Sequence, residues 1–164
     1  MATNNTVNAA SPIPAFFVYR DTTLNNATGK TAHVSAVCNH TLYDTTSSYN
    51  TGTYIYTIPT TGKYVFSYAV TFTNLTVAND AYFVNVNVTG AGTSLLYGEQ
   101  EIGGVCNAAG LASFSNFAQG IYTAGDTLVF DIQVQHGAAD TVGIYGDSIA
   151  DPKTWFSGYM IYGL

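Results

Sequence analysis

The sequence predicts an all-β domain of two packed sheets, a sandwich or jelly roll of about ten short antiparallel strands. Three observations carry this expectation. Residues Gly62 to Asn74 place Tyr64, Phe66, Tyr68, Val70 and Phe72 on one side and the small Val65, Ser67, Ala69 and Thr71 on the other. A period of two means extended backbone, because successive side chains point to opposite faces. Turn signals recur every ten residues or so, and no stretch carries a helical period. The 164 residues suit one domain with a sizeable core, arranged as an arm over 1–12 and a head over 13–164.

The arm is small, polar and aperiodic. A first strand, Ala15 to Arg20, is apolar along nearly its whole length, and Asp21 to Lys30 reads as loop. Thr31 to Val37 reads as a short strand, followed by a polar, turn-rich segment from Asn39 to Asn50 that carries Leu42 and Tyr43. Tyr54, Tyr56 and Ile58 alternate with Thr53, Ile55 and Thr57 in the strand before the Pro59–Gly62 turn. In that turn Pro presets φ and Gly accepts positive φ. The central strand comes next. Ala81 to Val88 alternates again, with Tyr82, Val84, Val86 and Val88 on one face and Asn85 and Asn87 toward water. Leu95 to Gly110 has no clear period. Leu111 to Tyr122 holds a strand around Phe114 and Phe117, and Ala124-Gly125-Asp126 is a tight turn. Thr127 to His136 then alternates, with Leu128, Phe130, Ile132 and Val134 inward. Gly137 to Asp140 turns, Thr141 to Tyr145 is short and extended, and Thr154 to Leu164 is the last strand.

The two terminal strands share an oddity: neither has a polar side. A strand apolar on both faces needs two covers, one its own core and the other a further surface. Large apolar surfaces on soluble chains mark interfaces. Phe17, Tyr19, Trp155, Phe156, Tyr159 and Ile161 are the residues expected in such an inner sheet and subunit contact.

Bulk chemistry narrows the function. Only 9% of residues are charged, against roughly 25% in an ordinary domain, so Asn, Thr, Ser and Gly carry solubility. That skin suits a protein that persists outside a cell. The net charge is −6, and Arg20, Lys30, Lys63 and Lys153 are the four basic side chains. Nucleic acid is set aside because its phosphates need clustered cations, and an anionic membrane surface on the same ground. No apolar run reaches the length of a span. The opening Met-Ala-Thr-Asn-Asn-Thr-Val-Asn lacks a secretory signal's basic start and apolar centre, which leads to the expectation of synthesis in a cytosol. Two cysteines, Cys38 and Cys106, are too few for a disulfide framework; buried free thiols are the expectation.

Taken together, the motifs resemble the globular head of complement C1q, in the tumour necrosis factor-like superfamily. An Ala15-Phe16 strand opens the chain. Tyr49, Gly52 and Tyr56 then lead into Pro59, Gly62, Tyr64, Phe66, Ser67 and Tyr68, similar to the family's tyrosine- and glycine-marked core. Gly125-Asp126-Thr127-Leu128 resembles its glycine-aspartate turn, and Phe156-Ser157-Gly158-Tyr159 its closing segment. The likeness covers roughly residues 13 to 164. Two departures stand out: the Gly52–Tyr56 interval is two residues longer, and a short arm replaces the collagen-like stalk of vertebrate members. The resemblance implies a ten-stranded jelly roll forming a homotrimer. Its first and last strands would lie side by side near the threefold axis, both termini at the base, and the distal loops free for partners.

No motif marks an active site, so no enzyme is expected. Gly90-Ala91-Gly92 follows a strand but no helix succeeds it, which makes it a hairpin turn. His33, His40 and His136 match no triad spacing. A zinc set of His33, Cys38, His40 and Cys106 fits no known spacing, and surface histidines with a buried thiol are the simpler reading. Asp147 and Asp151, in the loop before the last strand, are the candidate calcium ligands, as in loops of related heads; solvated acids are the simpler reading. Asp126 reads as a turn former. Asn-x-Thr triplets at Asn4, Asn26, Asn39, Asn74 and Asn87 arise by chance in so Asn- and Thr-rich a chain.

The resulting expectation is a virion surface component: a capsid decoration, head fibre or tail fibre of a bacteriophage or algal virus. Residues 1–12 would anchor it on other virion proteins, and the loops would meet a host receptor or glycan. The alternative is an extracellular lectin- or adhesin-type binding module of the same fold.

Overall fold

The computed structural model describes residues 11–28, 33–35, 38–75, 81–89, 93–101, 106–135 and 142–164. Among them there is no helix, and thirteen strands run in order. These are β1 (Ala15–Tyr19), β2 (Leu24–Thr28), β3 (His33–Ser35), β4 (His40–Asp44), β5 (Tyr49–Asn50), β6 (Ile55–Thr57) and β7 (Gly62–Thr73). They continue as β8 (Ala81–Thr89), β9 (Thr93–Glu101), β10 (Ala112–Tyr122), β11 (Thr127–Gln135), β12 (Val142–Ile144) and β13 (Trp155–Gly163).

β7 organises the first sheet. Along one edge it pairs with β10 from Gly62 to Phe72. Along the other it pairs with β13 from Gly62 to Ala69, then with β12 at Phe72 and Thr73. β1 lies beyond β13, β4 beyond β1, and β2 beyond β12. The second sheet runs β5-β6-β11-β8-β9, with β3 also against β11. All these pairings are antiparallel.

The alternation of β7 is realised as read: Tyr64, Phe66, Tyr68, Val70 and Phe72 are buried, and Lys63, Val65, Ser67 and Ala69 are half-exposed. Rings from both sheets interlock between the layers. Phe16 stacks on Tyr56 at 4.0 Å between centroids and meets Phe156 edge-on at 5.0 Å. Phe130 of the second sheet lies 4.9 Å from Tyr68 and 5.7 Å from Phe156. Each buried ring contributes about 2–3 kcal/mol of transfer energy, and good ring pairs add about 1 kcal/mol more. Gly158 has its reason here: a Cβ at that position would collide with the ring of Phe66 and crowd Phe16. Leu128, Phe130 and Ile132 point inward as expected.

Three segments differ from the sequence reading. The expected loop 21–30 contains β2, held by pairing with β12 and carrying Asn26 in left-handed backbone at φ 53°. The polar segment 39–50 contains β4, an edge strand on β1 whose Thr41, Leu42 and Tyr43 are exposed. The stretch without a period holds β9. Backbone pairing outweighs side-chain preference in such strands. Tyr54, expected in a strand with Tyr56, instead sits at φ 62° in a turn closed by its own N–H on the Asn50 carbonyl at 2.7 Å. The Asn50 side chain fixes that turn by accepting from Gly52 and Thr53 N–H. The sidedness expected for Tyr82 to Val88 and Val134, the hairpin at Gly90–Gly92 and the turn from Gly137 to Asp140 lie outside the described residues, as do residues 1–10 of the arm.

Candidate functional site: the outer face of the first sheet

Strand register lines up the residues of the first sheet that turn away from the core. One row crosses β10, β7, β13, β1 and β4 as Phe117, Ser67, Ser157, Phe17 and Tyr43. A second runs Gln119, Val65, Tyr159 and Ala15; a third runs Ser115, Ala69, Trp155, Tyr19 and His40. A trough of small side chains therefore runs down the middle of the face. Its floor is Val65, Ser67 and Ala69, with Ser67 Oγ and Ser157 Oγ hydrogen-bonded at 2.9 Å. That bond ties two hydroxyls together, so the floor demands little from water.

Aromatic groups wall the trough on one side. Phe17 stacks on Trp155 at 5.4 Å and lies 6.3 Å from Tyr43. Tyr159, 53% exposed, continues this wall. On the other side β10 raises Phe117 and Ile121, exposed by 71% and 64%. Lys63, level with Ile121 beyond these rows, is the one charged residue of β7 and β13. Scattered exposed apolar residues need no explanation, but a contiguous set does.

Of the residues expected at a subunit contact, Phe17, Trp155 and Tyr159 lie on this face. Ile161 is exposed at a bulge, where pairing with β7 slips between Met160 and Tyr162. Tyr19 belongs to the face but is already covered within the chain, beside His40 at 5.6 Å. Phe156 faces the core instead and is fully buried there, since alternation sends it opposite Trp155. The sequence reading did not assign Phe117, Ile121 or Tyr43 to the subunit contact. One signal was available: Phe114 and Phe117 are three apart on a strand, so they must face opposite ways, and Phe114 packs against Phe72 at 5.9 Å.

The metal candidates are placed elsewhere. Asp151 pairs with Lys153 Nζ, and Asp147 Oδ1 accepts the Ser148 N–H at 2.7 Å. Among the described residues no three His, Cys, Asp or Glu side chains come together as a metal set. Cys38 and Cys106 are both free thiols, and burial pushes Cys38 up to about 12. His40 Nε2 lies 2.8 Å from Asp21, whose carboxyl is held below its usual value, chiefly by the Asn39 amide. Asp126 acts in its turn, accepting the Thr123 N–H at 2.8 Å.

No family model and no curated protein sequence matches the chain. Solved structures do match by fold. The globular domain of zebrafish complement 1qA is 18% identical with a TM-score of 0.64, over 93% of this chain and all of that one. Murine APRIL is 14% identical with a TM-score of 0.61, over 92% of this chain and all of that one. The Eiger TNF of S. frugiperda is 16% identical with a TM-score of 0.56, over 93% and 95% of the two chains. The chain has the jelly-roll fold of complement C1q and tumour necrosis factor globular domains.

Proposed function

We propose that the chain is a non-enzymatic binding head that works as a homotrimer, with the outer face of the first sheet packed against sister subunits. One observation carries this reading: a small-residue trough and a protruding aromatic edge lie on the same face. The ridge of Phe117 and Ile121 is unlike the trough it would fill, so the contact is between different surfaces of two copies. Such heterologous contacts form rings where the rotation between copies closes, and the resemblance to complement C1q heads implies a ring of three. Burying a Phe and a Tyr per contact supplies several kcal/mol of apolar area.

The setting we propose is a virion surface, where the head would serve host attachment or capsid stability. Its support is compositional: a skin of Asn, Thr and Ser with four basic residues suits a particle that endures outside cells. Residues 1–12 would dock on other virion proteins. The alternative setting is extracellular, as a soluble lectin or adhesin. Mass spectrometry of purified virions separates them: the chain appears in the particle on the first reading and is absent on the second.

Trp155, the only tryptophan, reports assembly directly. At micromolar concentration iodide quenching of its fluorescence is expected to be weak, rising on dilution as subunits part. Quenching that is strong and independent of concentration overturns the reading.

A further inference from the structure

The outer face of the first sheet changes character toward the Thr71 end of β7. Past the row of Ser115, Ala69 and Trp155, the apolar surface gives way to an open pocket of about 480 Å³. That volume lies within the roughly 300–1,000 Å³ of small-molecule sites. Thr71, Asn107, Leu111, Ser113, Tyr145 and Lys153 line it.

Its polar groups are fixed in place, and their free valences can be assigned. Thr71 Oγ1 donates to the Lys153 carbonyl at 3.0 Å, using its single proton. The 2.7 Å contact between Thr71 and Ser113 hydroxyls therefore has Ser113 as donor, which leaves Ser113 Oγ as an acceptor toward the pocket. Asn107 Oδ1 accepts from the N–H groups of Ala109 (2.9 Å) and Leu111 (3.0 Å), so the side-chain NH2 keeps two donors for a ligand. The loop that carries it depends on Gly110, at φ 69°, whose N–H donates to the Asn107 carbonyl. Tyr145 is held at both ends: its N–H donates to the Thr71 carbonyl at 2.8 Å, and its own carbonyl accepts from Thr154 Oγ1 at 2.8 Å. Leu111 and the Tyr145 ring bring the apolar surface.

Charge decides what fits. Lys153 is the one charged residue lining the pocket, and its ammonium is already paired with Asp151. That pairing leaves no unanswered charge for an anionic or a cationic ligand. A neutral molecule with hydroxyls on its edges and a C–H face matches donors, an acceptor and an apolar wall together. We infer that this pocket binds a neutral sugar of one or two hexose units. The inference rests on the binding-head reading for its purpose, while the pocket is formed within one chain.

Saturation-transfer NMR on the full chain tests it, with glucose, galactose, mannose, N-acetylglucosamine, maltose and lactose as millimolar probes and glucuronate as the anionic control. Transfer to at least one neutral sugar is expected, with glucuronate weaker. Asn107→Asp keeps the loop-capping oxygen and removes both donors, so it should weaken binding about tenfold. Ser113→Met, which fills the space, should abolish it while circular dichroism shows the fold intact and the melting midpoint falls by no more than a few degrees, the usual cost of one hydrogen bond. No transfer to any neutral probe overturns the inference, and so does transfer that both variants leave intact or glucuronate binding as tightly. A trimeric mass alongside any of these failures leaves the binding-head reading standing.

Discussion

The two faces of β7 differ by one residue in sequence and by everything in chemistry. Tyr64, Phe66 and Tyr68 close the space between the sheets, and their replacements have nowhere to relax. Val65, Ser67 and Ala69, one step along, present a shallow floor that the described residues leave half-exposed. The inner set specifies the jelly roll; in the proposed assembly the outer set meets a sister subunit, so a single strand would serve two kinds of packing. The small outer residues are not a weaker core; their size leaves room for another molecule's side chain.

Replacement tests on adjacent residues sharpen this contrast most. Phe66→Ala should cost about 3–5 kcal/mol in denaturant unfolding, the usual loss for a buried ring. Val65→Ala should cost about 1 kcal/mol or less if measured on dilute single chains. Equal losses at the two positions would erase the distinction between the faces.

Alkaline titration reads the inner face as a whole. Burial pushes Tyr68 and Tyr122 up to about 12, raises Tyr49, Tyr56 and Tyr64 as well, and lifts the Cys38 thiol to about 12. A folded-state value above the unfolded one favours the neutral group in the fold. Its stabilisation is therefore complete below the unfolded value, near 9 for the thiol and 10 for the phenols, and is lost as pH climbs toward 12. Tyrosinate absorbance from these residues is expected to appear together with loss of the β circular-dichroism signal. Ionisation of all tyrosines near pH 10 with the fold intact would contradict the burial described.

Legibility followed the same division. β7 and β11 were readable because each buries one face, and that burial writes a period of two into the residues; the terminal strands were readable as continuous apolar runs with no polar side. β2 and β4 were not, because Leu-Asn-Asn-Ala-Thr and His-Thr-Leu-Tyr-Asp are held by backbone pairing at the sheet's margin. The candidate site was half readable. Composition at the two ends announced a second apolar surface, but assigning Trp155 to it and Phe156 to the core needs the pairing register, as does the meeting of Phe117 with Ser67. The pocket beside Lys153 joins three distant segments through Thr71, Ser113 and Tyr145, and no local pattern encodes that.

Light scattering of the purified chain, beside a Phe117→Asp variant, tests the assembly most directly. A mass of three chains is expected for the native protein at micromolar concentration. A mass of one is expected for the variant, with its circular dichroism unchanged because Phe117 supports no part of the core. A native protein that remains a single well-folded chain, with Phe117 and Tyr159 open to water, would contradict the claim that this face is built to be covered by its own copies.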